Sequence, residues 1–282
     1  MHPQAAPRWS WSASSRETLI MGVLNLTPDS FSDGGRWQGR AVERALQMVE
    51  EGADLIDIGG ESSRPGASPV TLEEELERVI PAVRAIRAES DIPISVDTVK
   101  AEVARQALAE GAEVINDIEG LRDDSLLTVV SEASAGVVIM HMRGRPQTMQ
   151  RGDLRDDDIV GTTLRWLSAQ AARAESAGVA REAICLDPGI GFGKTVEQNC
   201  ALIAGLPRLR ALGYPVLIGA SRKSFIGALT GAPVSERAWG SAAAHSCAVF
   251  CGARVLRVHD VRAAREQAVV AAAIRDVHTQ SP

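Results

Sequence analysis

The chain has 282 residues, of which 45% are hydrophobic and 23% are charged, so it holds enough apolar material for a full core. A formal net charge of −6 and a pI near 5.5 argue against a nucleic-acid-binding protein, whose surface is normally basic. No apolar stretch reaches the roughly 18–20 residues that a membrane-spanning helix needs.

Two features of the sequence indicate a cytoplasmic protein. The first segment, MHPQAAPRWSWSASS, has neither the basic region nor the apolar region of a secretory signal, and we expect residues 1–16 to form a flexible tail. The cysteines lie in apolar segments without a C-x-x-C pair, as is typical of reduced thiols: Cys185, Cys200, Cys247 and Cys251. His245 with the last two of them matches no zinc-site spacing and is typical of a helix face packed with small side chains.

Short apolar runs alternate with helical patterns along the whole chain. The first run, LIMGVLN at residues 19–25, precedes a long polar loop and a helical pattern between about residues 39 and 51. Seven further runs follow in chain order: ADLIDIGG, IPISVD, EGAEVIND, SAGVVIMH, AICLDPG, GYPVLIGAS and CGARVLRVHD. Each is rich in Val, Ile and Leu, as expected for strands that are buried on both faces of a parallel sheet.

Helical stretches separate these strands near residues 71–89, 99–110, 124–133, 158–177, 195–212, 235–251 and 260–278. Eight strand–helix units without a linker predict one α/β domain over residues 17–282, a single (β/α)8 TIM barrel. A doubly wound open sheet is the alternative, but such a sheet does not ordinarily need eight evenly spaced units.

Polar or charged residues stand at the end of every apolar run: Asn25, Asp57, Asp97, Asn116, His141, Asp187, residues 221–223, Arg257 and His259. Any one of them could simply cap the next helix or start a turn. Capping does not call for Lys, Arg or His, so this explanation is weak for the whole set. Because the carboxyl ends of parallel barrel strands meet at one rim, we expect an active site there.

One group of these residues suits a planar heterocycle. An ionised carboxylate, Asp97 or Asp187, accepts two adjacent N–H groups, and Asn116 offers both a donor and an acceptor. Lys223 would neutralise the carboxylates and donate to a ring carbonyl or ring nitrogen. The alternative interpretation is a structural salt bridge.

A second group suits an anion: Arg64 in GGESSRPGA, with Arg257 and His259 in LRVHD. The two groups together indicate a ligand with a flat head and an anionic tail. Asn25 and nearby loop oxygens could hold Mg²⁺, which prefers oxygen ligands and often binds with substrate phosphates. The glycine-rich stretch at residues 187–194 lacks the Walker spacing and is weak evidence for a phosphate loop. Lys and Arg side chains at the same rim also argue against a pair of acids that hydrolyses glycosides.

The segments resemble the dihydropteroate synthase family from about residue 18 to about residue 273. Its two signatures are present as MGVLNLTPDSFSDGG and GADLIDIGGESSRPGA, followed in order by SVDTVKAEV, GAEVINDI, VIMHMRGRPQTMQ, LDPGIGFGKTVEQN, GASRKSFIG and RVHDV. The resemblance implies a (β/α)8 barrel that joins 7,8-dihydropterin-6-ylmethyl diphosphate to p-aminobenzoate. The products would be 7,8-dihydropteroate and diphosphate, in a step of folate synthesis.

The resemblance also implies roles for individual residues. The family's pterin-binding set matches Asp97, Asn116, Asp187 and Lys223, and its diphosphate pocket matches Arg257 and His259. Its Mg²⁺ ligand matches Asn25. Its p-aminobenzoate site, which is also the sulfonamide target, matches Ser63, Arg64, Pro65, Phe192 and Ser224. Catalytic roles are implied for Arg64, Lys223 and Arg257.

The family further implies a homodimer formed through the last helices, and two loops, after Asn25 and at ESSRPGA, that close over the substrates. Ser63 stands where many relatives have Thr, which keeps the hydroxyl and loses a methyl contact.

Two alternative functions share the pterin pocket. A methyltetrahydrofolate:corrinoid methyltransferase would need no diphosphate site, and a non-catalytic pterin-binding paralogue should show damage at Asn25, Arg64, Lys223 or Arg257, which are intact.

Overall fold

Eight parallel strands form one sheet in the computed structural model, which describes residues 6–12, 16–26, 36–62, 66, 68–145, 148–150 and 152–280, with backbone alone for 36–38 and 279–280. The strands are β1 Leu19–Asn25, β2 Leu55–Gly59, β3 Ile94–Asp97, β4 Val114–Asp117, β5 Gly136–Met140, β6 Ile184–Asp187, β7 Leu217–Ile218 and β8 Val255–Val258. Nearly all of their residues are buried, which explains the continuous apolar runs in the sequence.

The sheet closes on itself. Neighbouring strands pair in the order β6-β5-β4-β3-β2-β1-β8-β7. The two end strands then meet through a parallel bridge between Leu186 and Val216, beside a 2.9 Å hydrogen bond from the amide of Leu186 to the carbonyl oxygen of Pro215. The predicted (β/α)8 barrel is therefore confirmed.

The α-helices of the described ranges are α1 Arg36–Glu50, α2 Leu72–Glu89, α3 Ala101–Ala109, α4 Asp124–Glu132, α5 Ile159–Ser176, α6 Val196–Ala204, α7 Leu206–Arg210, α8 Ser224–Thr230, α9 Ala238–Phe250 and α10 Val261–Gln280. None of these helices is both long and apolar enough to cross a membrane. Capping boxes at Thr71 and Thr195 start α2 and α6, each with a partner side chain three residues later.

The helices differ from the sequence-based prediction in two places. The predicted helix near residues 195–212 is divided into α6 and α7, because Pro207 lacks an amide hydrogen and fits only the first turn of a new helix. The short helix α8 directly follows the turn after β7 and was not predicted. It ends at Gly231, whose left-handed conformation (φ 75°) favours glycine.

The strand register places several predicted site residues side by side. Asn25 pairs with Gly59, Gly59 pairs with Asp97, and Asp97 pairs with Asn116, across four adjacent strands. Because these residues end their strands at the same level, their side chains lie at one rim of the barrel.

The amino-terminal end of the barrel is closed by residues that the sequence assigned to a flexible tail. Trp11 is fully buried beneath an inner layer that includes Leu19 and Val138, and its indole nitrogen donates to the carbonyl oxygen of Ala183 at 2.9 Å. Arg254 donates in turn to the carbonyl oxygen of Trp11. Within the described residues 6–12, the open end of the barrel thus buries this large apolar ring.

Candidate active site

A cavity of about 430 Å³, called the main cavity below, opens at the carboxyl ends of the strands. Eight of the predicted site residues lie on its wall: Asn25, Asn116, Asp187, Phe192, Lys223, Ser224, Arg257 and His259. Asp97 lies on the wall of a neighbouring side cavity of about 320 Å³. The predicted residues Ser63, Arg64 and Pro65 lie outside the described residues.

Arg257 forms the centre of a buried ion cluster on the floor of the main cavity. Its Nε donates to Asp57 at 2.6 Å, and its Nη2 donates to Asp97 at 2.7 Å. Asn116 donates through Nδ2 to the same oxygen of Asp57 at 3.0 Å. Among the described residues no acceptor contacts Nη1 of Arg257, so this nitrogen is left for a ligand oxygen.

The charges of this cluster depend on one another. Burial raises the pKa of Asp97 to about 7, against the opposing effect of Arg257, and the nearby carboxylate of Asp57 raises it further. Burial also opposes the charge of Arg257, but Asp57 and Asp97 outweigh it and hold the pKa of Arg257 above its usual range. One guanidinium thus serves two buried carboxylates, and its removal would leave both without a positive partner.

Asp57 was recognised in the sequence only as a strand-end residue, without a role. It is fully buried and lies two residues before the end of β2, so it faces the same side of the sheet as Gly59. A carboxylate inside an apolar strand is the signal that could have identified it. Because an ionised carboxylate only accepts hydrogen bonds, Asp57 orients the amide of Asn116 with Nδ2 inward, and Asn116 Oδ1 remains as the acceptor for a ligand.

Asp187 stands across the cavity at the end of β6. Its Oδ1 accepts a hydrogen bond from the amide of Gly189 at 2.7 Å, and no described residue donates to Oδ2. Burial raises the pKa of Asp187 to about 6, although the Gly189 amide and the positive charge of Lys223 both act to lower it. In its ionised form this carboxylate has one open oxygen that can accept hydrogen bonds from a ligand.

The glycine-rich stretch at residues 187–194 is organised around a lysine. The ammonium of Lys194 is buried and donates to the carbonyl oxygens of His141, Gly189 and Phe192 at 2.9–3.0 Å. Burial lowers the pKa of Lys194 to about 7, although the negative charge of Asp187 acts to raise it. Gly189 has φ +70°, and a Cβ there would lie 2.1 Å from the carbonyl oxygen of His141. Only glycine permits this close packing.

Lys223 and its neighbours line the main cavity beside the glycine-rich stretch. The Nζ atom of Lys223 lies 4.1 Å from the centre of the Phe192 ring, a cation–π contact. Ser221 Oγ lies 3.0 Å from Nδ1 of His259. Arg222 between them has φ +57° and forms an ion pair with Asp260. This unusual backbone conformation directs both Ser221 and Lys223 to the cavity.

An apolar surface completes the wall, and the sequence predicted only Phe192 of its residues. Met140, Met149, Phe192 and Ile118 all border the main cavity and pack together. Methionine and aromatic side chains of this kind provide a flat contact for a planar ring. His141, in contrast, does not line the cavity. It is buried with Nδ1 against Thr163, and burial lowers its pKa to about 3.

Asn25 is exposed at the end of β1. A Cβ on Gly59 would lie 3.6 Å from Oδ1 of Asn25 and 3.9 Å from Oδ2 of Asp97, so the missing side chain leaves the space between these oxygens open. Ser224, the first residue of α8, is also exposed. Both residues therefore lie at the outer part of the cavity.

Residues 21–259 match the family model described as "Pterin binding enzyme". Over 264 residues the chain is 50% identical to the dihydropteroate synthase of Synechocystis sp., a match that covers 92% of this chain and 91% of that protein.

Two solved structures have the same architecture. One is the Yersinia pestis dihydropteroate synthase in complex with a sulfonamide drug, with a TM-score of 0.86 and 41% identity over 92% of this chain and 94% of that chain. The other is the Burkholderia cenocepacia dihydropteroate synthase complexed with 7,8-dihydropteroate, with a TM-score of 0.84 and 47% identity over 95% of this chain and 94% of that chain.

Proposed function

The chain belongs to the dihydropteroate synthase family of pterin-binding enzymes, and from this membership we propose that it transfers a 7,8-dihydropterin-6-ylmethyl group from its diphosphate to p-aminobenzoate. The products are 7,8-dihydropteroate and diphosphate. The observation that carries this proposal is the meeting of Asn116, Asp187 and Lys223 in one cavity whose floor is Arg257. The relatives are synthases, so neither the methyltransferase nor the non-catalytic alternative is favoured.

The pterin head binds at the inner part of the main cavity. Oδ2 of Asp187 and Oδ1 of Asn116 accept hydrogen bonds from the ring N–H and amino groups, and Lys223 donates to the ring carbonyl or a ring nitrogen. Asp97 supports this group through Arg257, with which it shares a 2.7 Å hydrogen bond. Met140 and its apolar neighbours contact the face of the ring.

The p-aminobenzoate ring binds nearer the opening, at Phe192 and Ser224. The family resemblance adds Ser63, Arg64 and Pro65 to this site. The cation–π contact with Lys223 connects this part of the wall to the pterin part, since Lys223 borders both. Because a sulfonamide resembles p-aminobenzoate in shape and charge, we expect sulfonamides to compete for this site, in keeping with the Yersinia complex.

The family also implies Mg²⁺. The oxygen donors of this chain fit an ion that binds together with the substrate diphosphate. The described residues contain no group of three His, Cys, Asp or Glu side chains that could enclose a metal ion. Asn25 instead offers one exposed amide oxygen at the rim. Mg²⁺ keeps several waters and commonly binds through substrate phosphates, so Asn25 would hold an ion that arrives with the diphosphate. Bound there, the ion supplies stabilisation of negative charge on the leaving group.

The reaction breaks the bond from the pterin methylene to a diphosphate oxygen and forms a bond from that carbon to the amine nitrogen. The electron-rich pterin ring disperses the positive charge that develops at the methylene, so we propose an ionisation-like substitution. Arg257 and His259 bind the departing diphosphate, and Nη1 of Arg257 donates to one of its oxygens. An arylamine is unprotonated near pH 7, so no strong general base is needed to prepare it.

The direct test is incubation of the purified protein with 7,8-dihydropterin-6-ylmethyl diphosphate, p-aminobenzoate and Mg²⁺. We expect diphosphate release that requires p-aminobenzoate, together with dihydropteroate identified by mass spectrometry. Release without p-aminobenzoate at the same rate would indicate hydrolysis and would overturn the assignment.

Pterin affinity should depend on pH through Asp187. The carboxylate is ionised above its raised pKa of about 6 and accepts hydrogen bonds only in that form. Protonation therefore competes with the pterin, and affinity should fall as the pH drops below about 6. Calorimetric titration with a pterin between about pH 5 and 8 measures this effect. In Asp187→Asn the same part of the profile should be flatter, and a wild-type affinity that increased on acidification would contradict the role of Asp187.

We further propose a cytoplasmic homodimer. On α10, Val270, Ile274 and Val277 recur at helical spacing and are more than half exposed, and α9 adds Trp239 and Phe250. A surface rich in large apolar side chains usually marks a protein interface. Light scattering of the purified protein should give twice the 29.9 kDa of one chain. Ile274→Glu should lower this mass toward that of a monomer. Glu266→Asp, a conservative change at an exposed position of the same helix, is the control and should leave the mass unchanged.

A further inference from the structure

Ser221 has a hydroxyl on the wall of the main cavity, and the reaction as proposed above gives it no role. It lies three residues after β7 and is 7% exposed. Among the described residues, the hydrogen bonds of its side chain go only to His259, which belongs to the proposed diphosphate site. The contact between these two side chains therefore needs an explanation.

The position of Ser221 is fixed by its neighbours. Arg222, with φ +57°, donates through its amide to Oγ of Ser241 at 2.9 Å, and its guanidinium pairs with Asp260 at 2.8 Å. Because Asp260 directly follows His259, two consecutive residues after β7 contact two consecutive residues after β8. A left-handed conformation is costly for a residue other than glycine and persists only where surrounding contacts hold it. These contacts hold the hydroxyl of Ser221 in front of the imidazole.

The hydrogen bonds of the Ser221 hydroxyl can be assigned by counting donors. The backbone amide of His259 donates to Oγ of Ser221 at 3.4 Å, which uses one lone pair of this oxygen. The hydrogen of the hydroxyl itself then needs an acceptor. Among the described residues, the one atom within reach is Nδ1 of His259, at 3.0 Å. The hydroxyl of Ser221 thus donates to Nδ1.

A hydrogen bond accepted by Nδ1 determines the tautomer of the ring. A neutral imidazole carries one hydrogen, which is then on Nε2. The imidazole borders the main cavity, and the oxygens of a diphosphate accept hydrogen bonds. This tautomer therefore suits the proposed ligand, whereas hydrogen on Nδ1 would leave a lone pair on Nε2 to meet an anion.

We propose that Ser221 is a positioning residue for the diphosphate, because its hydrogen bond to Nδ1 holds His259 in the tautomer that donates from Nε2 to a diphosphate oxygen. Ser221 acts through His259 and does not touch the leaving group. The inference rests on the proposed function, since it takes the diphosphate as the anion that His259 binds.

The test compares two ligands by calorimetry with Mg²⁺ and without p-aminobenzoate. One is 7,8-dihydropterin-6-ylmethyl diphosphate, and the other is 6-hydroxymethyl-7,8-dihydropterin, which has the same head and no diphosphate. Ser221→Ala should weaken binding of the first about three- to tenfold, the range for one hydrogen bond, and leave binding of the second unchanged. Ser176→Ala is the matched control and should change neither affinity, since its hydroxyl bonds locally to Ala172 at the exposed end of α5.

A double-mutant cycle shows whether Ser221 acts through the imidazole. In the His259→Ala background, Ser221→Ala should have no further effect on diphosphate affinity, because the ring that it positions is absent. A hydroxyl that touched the diphosphate itself, or that had a merely structural role, would weaken binding by the same factor in both backgrounds. That result would overturn the proposal.

The tautomer can also be observed directly in the unsubstituted protein. The ¹⁵N spectrum of a neutral imidazole distinguishes the nitrogen that carries hydrogen from the one that does not, and the signals of His259 are those lost in His259→Ala. We expect hydrogen on Nε2 and a shift of the Nδ1 signal in Ser221→Ala. Hydrogen on Nδ1 in the unsubstituted protein would contradict the assigned hydrogen bond.

Formation of dihydropteroate by the unsubstituted protein is measured first. Failure at that step would count against the proposed function. Normal product formation, together with an unchanged diphosphate affinity in Ser221→Ala, would count against the role of Ser221 alone.

Discussion

Replacement of Arg257 by methionine is expected to reduce turnover by about 10²–10³-fold and to lower the free energy of unfolding by about 3–5 kcal/mol. Turnover falls because the leaving diphosphate loses a positive partner. Stability falls because Asp57 and Asp97 both accept a hydrogen bond from this one guanidinium and would remain buried without it. Steady-state kinetics and urea unfolding measure the two effects separately.

The loss of stability should itself depend on pH. In the unsubstituted protein burial raises the pKa of Asp97 from 3.8 to about 7, against the opposing effect of Arg257. The loss of Arg257 raises this pKa further, so the folded variant binds more protons than the folded unsubstituted protein near and above pH 7. The destabilisation should therefore be larger near pH 8 than near pH 5. Arg84→Met, which removes an exposed ion pair, should cost at most about 1 kcal/mol. An effect of Arg257→Met no larger than that of this control would contradict the proposed ion cluster.

Asp187→Asn should weaken pterin binding by about tenfold or more, since a hydrogen bond to a charged group contributes about 1.5–3 kcal/mol. The substitution keeps the shape of the side chain and its hydrogen bond with the Gly189 amide, but it removes the negative charge. Calorimetry with the pterin substrate gives the affinity. Asp153→Asn, at an exposed aspartate outside the cavity, is the control. Unchanged pterin affinity in Asp187→Asn would exclude this carboxylate from the binding set.

The barrel could be predicted because its signals are local. Each strand is a short apolar run, and each is followed by a polar residue and a helical pattern, so order and number can be read along the chain. Asn116 and Asp187 could be assigned to the rim for the same reason, since strand ends of a parallel barrel converge. The structure places both on the main cavity.

Other features depend on contacts between distant segments and could not be predicted in this way. Asp57 has its role through contacts with Arg257, 200 residues later in the chain, and with Asn116, 59 residues later. His259 contacts Ser221, which precedes it by 38 residues. Trp11 lies in a polar segment of the sequence, and its burial follows only from its contact with the amino-terminal end of the barrel. In each case both residues can be read in the sequence, but the contact between them, which gives them a role, cannot.

The burial of Trp11 has a practical consequence for where the chain can be shortened. The family match covers residues 21–259, and a fragment cut to those limits would lack this indole at one end and α10 at the other. Water would then enter the lower interior of the barrel, where Val138 and Leu217 are now dry. We therefore expect the smallest fragment that folds on its own to be longer than residues 21–259. A fragment made for expression should start before residue 6.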